Sequence, residues 1–361
     1  MKQIINVVKS VFAAVVACGV MFSAYSCQKS GEIVSGAGDS GELGTLVVSV
    51  ATKGDNGGGS AVSDDNKVNL LELFVFRNEG DDSGNLDAYK KLSGDEISSL
   101  SDVPLRSTTG KKLVYAVLNS HDEDWSGVRT LSDFQAKLAM LQREKSGDFT
   151  MVGSAETTLE LTAEVPVTVS RLVAKVQLGG LKCDFSGTPY EGASLTDVKV
   201  YLTNVYGSKT YALNANPATA CILNAEGLVN GDVEGCAMPS ALYKEIGEDV
   251  GAATTNVSHS FYCYENMVDA ESGSDRFTRL VVEGKLNGNT YYYPVNINRE
   301  GFGYSSDNDH YGVRRNTVYT IDVTICRPGS TDPDGVLEYG DMHTTVSIKD
   351  WVTLPGVQVQ F

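Results

Sequence analysis

The sequence predicts an all-β protein built from two β-sandwich domains in tandem, with one short amphipathic helix in the N-terminal domain. Three observations lead to this fold class. Runs rich in β-branched and aromatic residues alternate with turn residues along most of the chain. Only residues 131–144 have a helical period. The length that remains after removal of a leader suits two domains better than one.

Eight segments have the period-two pattern or the composition of β-strands. They are residues 67–78, 111–120, 157–170, 171–181, 195–207, 258–266, 276–297 and 315–328. Within 276–297, the sequence Asn-Gly-Asn separates two apolar runs and predicts a hairpin turn. We place the domain boundary near Ser170, so that residues 44–170 form the N-terminal sandwich and residues 171–361 the C-terminal one.

The helix is predicted over residues 131–144, in the N-terminal domain. Ser132 and Gln135 have the spacing of a capping box. Four apolar residues fall on one face of such a helix: Leu131, Phe134, Leu138 and Leu141. A single amphipathic helix in a β protein is expected to pack against a sheet and to carry no chemistry.

Residues 1–26 have the pattern of a lipoprotein signal peptide. Two lysines flank the n-region, and a largely apolar run ends at a cysteine; the run is too short for a membrane span. Cys18 and Cys27 both qualify as the lipidated residue. We favour Cys27, because cleavage before Cys18 would leave an apolar start, whereas residues 27–43 form a polar tether. Secretion with an unmodified Cys27 is the alternative.

The composition excludes several classes of partner. The chain has a formal net charge of −17, and loss of the leader removes two lysines and makes it more negative. Such a surface repels nucleic acid and anionic lipid headgroups. Apart from Cys18 and Cys27, five cysteines remain, an odd number without a Cys-x-x-Cys pair, which fits neither a zinc site nor a dense disulfide framework. Their disulfide state stays open: Cys183, Cys221, Cys236, Cys263 and Cys326.

The sequence predicts neither an enzyme nor a cofactor. Ser40 lies in a Gly-Asp-Ser-Gly motif, but that motif is in the tether, ahead of any scaffold that could position a base. Residues 307–312 begin like a calcium loop and lack its later acidic ligand, so a solvated hairpin loop is the simpler interpretation. No phosphate loop or dinucleotide fingerprint is present. We therefore expect no catalytic residue and no metal site.

The two ends of the mature chain carry complementary strand patterns. A strand at residues 45–52 is followed by Lys53 and a glycine-rich polar loop, which a protease could reach. At the other end, residues 343–361 alternate apolar and polar side chains. This last segment either closes the C-terminal sandwich or inserts into a neighbouring molecule, and the sequence pattern permits both.

These segments together resemble the type V fimbrial subunits, or fimbrillins, of Bacteroidia. The resemblance covers most of the mature chain and depends on the order of segments that are individually ordinary. They are CQKSGE (27–32), TLVVSVATKG (45–54), LLELFVFRN (70–78), KKLVYAVLNS (111–120), VSRLVAKVQL (169–178), FYCYEN (261–266), RRNTVYTIDVTI (314–325) and TTVSIKDWV (344–352).

The resemblance implies transthyretin-like sandwiches and a structural subunit of an adhesive surface fimbria, or pilus. A lipidated precursor would reach the outer membrane. A trypsin-like protease specific for arginine or lysine would then cut between Lys53 and Gly54 and remove strand 44–53. Family members more often have arginine at this point; the first arginine here, Arg77, lies inside a predicted strand. The side chains lost with the strand would be Leu46, Val48 and Val50.

The vacated groove would take a donor strand from a copy of the chain or a related fimbrial subunit. That strand would come from residues 342–361, with six candidate anchors: Val346, Ile348, Trp351, Val357, Val359 and Phe361. The alternatives are an accessory subunit, either a membrane anchor or a tip adhesin, and a monomeric surface lipoprotein that binds a host or bacterial receptor.

Overall fold

The structure is a computed structural model, and it describes residues 33–34, 42–53, 65, 67–97, 99–212, 222–223, 232–233, 236–237, 242–268, 277–301, 303–304, 310–332 and 342–351. Several predictions lie outside the described residues: the leader, Cys27, Ser40, Gly54, residues 307–309, Val357, Val359 and Phe361. Within the described part of the chain, no helix is long and apolar enough to cross a membrane.

Most of the described residues are in β-strands, which confirms the all-β class. The strands are β1 Ile33–Val34, β2 Leu43–Thr52, β3 Leu70–Arg77, β4 Leu86–Ser93, β5 Val103–Thr108, β6 Gly110–Leu118, β7 Leu138–Met140, β8 Met151–Leu159, β9 Thr162–Arg171, β10 Val173–Cys183, β11 Thr196–Thr203, β12 Val205–Tyr206, β13 Ser208–Thr210, β14 Ile222–Leu223, β15 Asp232–Val233, β16 Cys236–Ala237, β17 Tyr243–Glu245, β18 Thr255–Tyr264, β19 Asn266–Val268, β20 Arg279–Leu286, β21 Asn289–Asn296, β22 Tyr311–Val313, β23 Thr317–Ile325 and β24 Met342–Asp350. Helix α1 spans Leu131–Ala136, and two 3-10 turns span Gly94–Glu96 and Leu141–Arg143.

The helix is shorter than predicted and begins with a different cap. Thr130 is its N-cap: the Thr130 side chain accepts from the Asp133 amide at 3.1 Å, and the Asp133 carboxylate accepts from the Thr130 amide at 2.8 Å. The predicted pair of Ser132 and Gln135 is therefore wrong. Residues beyond Ala136 leave the helical pattern because β7 pairs antiparallel with β13, and this tertiary pairing overrides the local periodicity.

All the strands before residue 172 except β7 form a sheet in the order β1-β4-β3-β6-β8-β9-β2-β5. β8 and β9 pair only at Met151–Arg171 and Val152–Ser170, so the sheet folds over at that corner into two layers. At Gly153, a Cβ would lie 2.1 Å from the Thr168 carbonyl oxygen, which shows why glycine is needed where the layers meet.

The two layers enclose a core to which β2, β5 and β9 contribute from one side and β3, β4, β6 and β8 from the other. Alternation along each strand sends every second side chain into this core. The fully buried members include Leu46, Val48, Leu71, Leu73, Val75, Val114, Ala116, Leu118 and Val169. The arrangement is a β-sandwich.

Eight of the strands after residue 172 form two four-stranded sheets, in the orders β18-β10-β23-β24 and β17-β11-β20-β21. β10 runs parallel to β23 and antiparallel to β18. The predicted hairpin is confirmed: β20 and β21 pair antiparallel through a turn at Asn287 and Gly288, whose φ angles of 52° and 85° lie in the left-handed region. The buried side chains of both sheets belong to one cluster.

The same cluster also contains residues from the first half of the chain. Trp125 and Phe134 pack with their ring centroids 5.6 Å apart, and Tyr211 meets Trp125 at 4.9 Å. The Tyr264 hydroxyl donates to the buried Glu144 carboxylate at 3.0 Å. An aromatic layer therefore joins the outer face of the first sheet to the second half of the chain.

Candidate assembly site

Strand β2 occupies the middle of its layer. It pairs in parallel with β9, from Thr45–Thr162 to Thr52–Val169, and antiparallel with β5 on its other edge. Both backbone edges of β2 are therefore satisfied by hydrogen bonds over most of its length. Removing the strand would leave a groove between β5 and β9.

The three side chains predicted to anchor β2 are buried. Leu46 and Val48 are 0% exposed and Val50 is 6% exposed. They alternate with half-buried residues, so one face of β2 enters the core and the other faces outward. These three side chains fill the space between the two layers, and a strand that replaced β2 would have to supply its own side chains at their sites.

Lys53 is exposed and stands one residue beyond the end of β2. Its amide donates to the Val169 carbonyl at 2.6 Å, which holds the backbone of the strand to β9 up to this residue. Arg77, in contrast, is the last residue of β3 and forms ion pairs with Asp82 and Asp87, each at 3.1 Å. Of these two basic residues, Lys53 is the one that follows β2 and is exposed.

The start of β2 fits closely against the turn between β8 and β9. Gly44 is buried, and a Cβ there would lie 2.9 Å from the Leu161 carbonyl oxygen and 3.0 Å from that of Glu160. The Thr45 amide donates to the same Leu161 oxygen at 2.9 Å. We call this contact, formed by the backbone of residues 160–161, the Glu160–Leu161 ledge.

Strand β24 lies at the edge of its sheet. It pairs antiparallel with β23 over nine positions, from Thr317–Asp350 to Ile325–Met342. Its side chains alternate between half-buried and exposed. Val346 and Ile348, two of the predicted donor anchors, are half-buried and pack against the main core of the second half of the chain. The structure therefore places this segment as a closing strand of its own chain.

Trp351 follows β24 and is 4% exposed. Its ring packs against Phe149 and Tyr262, with centroids 5.3 and 5.9 Å apart, and the Arg171 guanidinium lies 4.4 Å from its centroid. The Trp351 amide donates to the Asn316 carbonyl at 2.9 Å. The end of β24 is thus held far more firmly than its middle.

Arg171 connects this end of β24 to the segment that follows the predicted processing loop. Its guanidinium donates to the Asp65 carbonyl at 3.2 and 3.3 Å and to the Asn316 side-chain oxygen at 3.1 Å. Burial lowers the pKa of Arg171 to about 10, although the Asp65 charge opposes that shift. The sequence analysis identified neither Asp65 nor Arg171 as a residue that holds β24. For Arg171, the available signal was its position within a segment of alternating apolar residues.

Three of the cysteines, Cys183, Cys263 and Cys326, are free thiols. Cys183 and Cys263 are buried and Cys326 is half-buried. Burial raises the pKa of Cys183 to about 11 and that of Cys263 to about 12, which makes both thiols unreactive at neutral pH.

A surface cleft of 380 Å³ lies beside β11, β17 and β20. Its charged lining includes two ion pairs, Lys199–Glu283 at 3.3 Å and Lys285–Asp197 at 2.8 Å. Among the residues that the structure describes, no aromatic side chain lines it. The aromatic run at residues 291–294 is instead half-buried or buried in hairpin strand β21.

A family model described as "Major fimbrial subunit protein (FimA)" matches residues 44–299, most of the chain. The chain belongs to this family. The Major fimbrium subunit FimC of Porphyromonas gingivalis is 24% identical over 307 residues, which cover 81% of this chain and 60% of FimC. The chain thus spans only 60% of the length of that relative. The Major fimbrium subunit FimA type-2 of Porphyromonas gingivalis is 22% identical, with 86% of this chain and 90% of the relative covered.

Solved structures share the fold. A fimbrilin from Porphyromonas gingivalis superposes with a TM-score of 0.62 at 19% identity, covering 86% of this chain and 98% of that one. A proposed cell adhesion protein from Parabacteroides distasonis gives a TM-score of 0.61 at 20% identity, covering 85% and 97%. The relatives are fimbrial subunits, not enzymes, so the family assignment confirms both the predicted resemblance and the non-enzymatic class.

Proposed function

We propose that this chain is a structural subunit of a cell-surface fimbria, which polymerises by strand exchange and supports adhesion. One observation carries the proposal. Strand β2 is buried between two neighbours and is followed at once by an exposed basic residue, Lys53. A strand held in this way can be removed only after the chain is cut behind it. Membership of the fimbrial subunit family supports the same role.

The proposed cycle begins with a precursor lipidated at Cys27 and exported to the outer membrane. A trypsin-like protease cuts between Lys53 and Gly54, and β2 then leaves. A strand from residues 342–361 of another copy, or of a related subunit, fills the groove by adding to the edges of β5 and β9. Its anchors are drawn from Val346, Ile348, Trp351, Val357, Val359 and Phe361.

The burial of β2 gives the order of events. Each fully buried apolar side chain contributes roughly 1.5–3 kcal/mol, so Leu46, Val48 and Val50 together hold β2 by roughly 5–9 kcal/mol before its hydrogen bonds are counted. Cutting the backbone therefore leaves the strand seated. We propose that the incoming strand displaces it, because both compete for the same hydrogen-bonding edges.

We further propose two transthyretin-like sandwich domains with a boundary near Ser170. This position is supported by the strand pattern: β9 ends at Arg171, β10 begins at Val173, and each sheet of four or more strands uses strands from one side of this point only. The aromatic layer around Trp125 and Tyr211 would then be the interface between the domains.

Limited digestion with trypsin tests the cycle. We expect first cleavage of the mature protein after Lys53, followed by SDS-resistant oligomers that dissociate on boiling. Lys53→Arg should be cut and should polymerise as the parent does, whereas Lys53→Gln should resist cleavage there. Cleavage at Lys53 without any oligomer would rule out the role of a polymerising structural subunit and leave an anchor or a monomeric lipoprotein.

An accessory role is the second candidate. Fim1C of Parabacteroides distasonis, a proposed fimbrium tip subunit, is 24% identical over 71% of this chain. A tip subunit needs a groove but no donor strand, so a chain that accepts strands and never donates one would fit it. A monomeric receptor-binding lipoprotein is less well supported, since the described 380 Å³ cleft has no aromatic lining.

A further inference from the structure

We infer that the groove under β2 selects incoming strands by size at one position, the site of Gly44. A strand that enters in the direction of β2 fills the whole groove only if it has glycine two residues before its first buried anchor. This inference rests on the proposed strand exchange and specifies the chemistry of the strand that the groove takes.

The selection comes from the Glu160–Leu161 ledge. A Cβ at residue 44 would lie 2.9 Å and 3.0 Å from two backbone carbonyl oxygens, and 3.0 Å from a methyl carbon of Leu159. Backbone atoms cannot rotate away as a side chain can. The Leu161 oxygen also accepts the Thr45 amide at 2.9 Å, so moving the ledge would break a hydrogen bond of the seated strand.

A second contact distinguishes the other end of the groove. The Asp102 amide donates to the Ser49 hydroxyl at 3.1 Å, on the outward face between Val48 and Val50. Asp102 has a φ of 58°, in the left-handed region, which fixes the direction of its amide. The seated strand therefore presents glycine, three apolar anchors and a hydroxyl between the last two anchors.

Strand β24 has a hydroxyl at the site of Ser49 but lacks a glycine at the site of Gly44. When Val346 and Ile348 take the sites of Val48 and Val50, Ser347 falls at the site of Ser49. In the same register Met342 falls at the site of Gly44, where its Cβ would meet the ledge. A strand from β24 in this direction can thus fill the groove only from the Leu46 site onward.

The residues after β24 meet the same obstacle. If Val357, Val359 and Phe361 take the three anchor sites, Pro355 falls at the Gly44 site. Proline adds side-chain atoms against the ledge and has no amide to donate. The pattern glycine-x-apolar-x-apolar-x-apolar, present in β2, is therefore the signature of a strand that fits the full groove.

The first test uses the intact chain. Gly44→Ala should increase hydrogen exchange of the amides of residues 43–48 at least tenfold, while Thr45→Ala, at the neighbouring half-buried position, should change it less than twofold. Equal exchange in Gly44→Ala and the parent would show that the ledge yields, and would overturn the inference whatever the outcome of processing.

The second test uses the chain nicked after Lys53 and labelled peptides that compete with the seated strand. The peptide of residues 42–53 should exchange in at least tenfold better than its Gly44→Ala variant. The peptide of residues 342–351 should improve at least tenfold with Met342→Gly. Equal binding within either pair overturns the inference. If no peptide exchanges in, including that of residues 42–53, the strand exchange of the proposed function fails, and the first test alone decides the size selection.

Discussion

Strands β2 and β24 are held in opposite ways. β2 has a neighbour on each edge, and its three anchors along the strand are 0–6% exposed. Among the described residues, β24 pairs with β23 alone; its side chains are half-buried or exposed, and Trp351, just beyond its end, is deeply buried. The difference teaches that β2 is held on both edges and by buried side chains along its length, whereas β24 is held on one edge and is deeply buried only at one end, so we expect β24 to detach more readily once that end is released.

A disulfide that fixes β24 to β23 would be the most severe test of this comparison. Thr320 and Ser347 are directly paired in the β23–β24 ladder, so cysteines at both positions are at the separation that a disulfide needs. We expect the oxidised Thr320→Cys, Ser347→Cys variant to be processed and to form no polymer, with polymerisation restored by reduction. The single variant Ser347→Cys is the control. Normal polymerisation of the oxidised variant would place the donor entirely within residues 352–361.

Removing the Trp351 side chain should release β24 without releasing β2. A buried tryptophan replaced by alanine costs about 3–5 kcal/mol, which corresponds to at least about a hundredfold change in local opening. Hydrogen exchange of residues 342–350 should therefore accelerate by that factor in Trp351→Ala, with β2 unchanged. Lys349→Ala, at an exposed position, should leave both strands protected. Equal acceleration in β2 would mean that the two strands open together.

Shortening an anchor in β2 should instead lower the stability of the whole sandwich. Leu46 is fully buried, so Leu46→Ala should reduce the free energy of unfolding by about 2–5 kcal/mol in a urea titration. The half-buried neighbour gives a matched control, and Val47→Ala should cost much less. If Leu46→Ala exposed β2 to exchange and left global stability intact, β2 would be a locally detachable strand like β24.

The smallest expected effect concerns pH. Burial raises the pKa of Glu72 in β3, although hydrogen bonds from Ser120, Tyr89 and Trp125 oppose the shift. A carboxyl with a raised folded-state pKa favours the fold when protonated, so its contribution is present below about pH 4.5 and is lost as the pH rises through the folded-state pKa. The slope is at most about 1.4 kcal/mol per pH unit.

Unfolding titrations between pH 4 and 8 check this sign. The stability of Glu72→Gln should change less with pH than that of the parent, while Glu248→Gln, at an exposed position, should follow the parent. Because the Glu72 side chain contacts Tyr89, Ser120 and Trp125 on the outer face of β3, away from the core that β2 enters, the pH dependence should appear in the stability of the whole fold and not in the protection of β2 alone. A steeper pH dependence in Glu72→Gln would contradict the assigned direction.

The predicted strands were those whose buried positions are apolar. The sequence did not predict β4 or β5, and the structure shows why. In β4 the buried Asp87 is paired with buried Lys112 at 3.1 Å, so an ion pair fills a core position that the hydrophobic pattern expects to be apolar. Burial alone would raise the pKa of Asp87, but hydrogen bonds from Ser107 and Thr108 and the charge of Lys112 lower it. β5 contains a proline and is an edge strand, which weakens its signal.

Part of the candidate site was predictable, because its buried positions in β2 are apolar. Leu46, Val48 and Val50 stand in a local alternation, so their burial could be inferred from β2 alone. The Glu160–Leu161 ledge and the contacts of Arg171 with Asp65 and Trp351 join residues more than 100 positions apart. No local pattern contains such contacts, because they depend on the order of strands in the sheets.

The parallel pairing of β2 with β9 has a consequence for how the chain folds. Thr45 is made early and its partner Thr162 much later, so β2 cannot dock until the rest of its sandwich has been synthesised. A chain at that stage has an open groove between β5 and β9, the same groove that the proposed processing would open. The covalent link gives β2 a high effective concentration at that moment, and this kinetic advantage lets the chain close on itself before it meets another subunit.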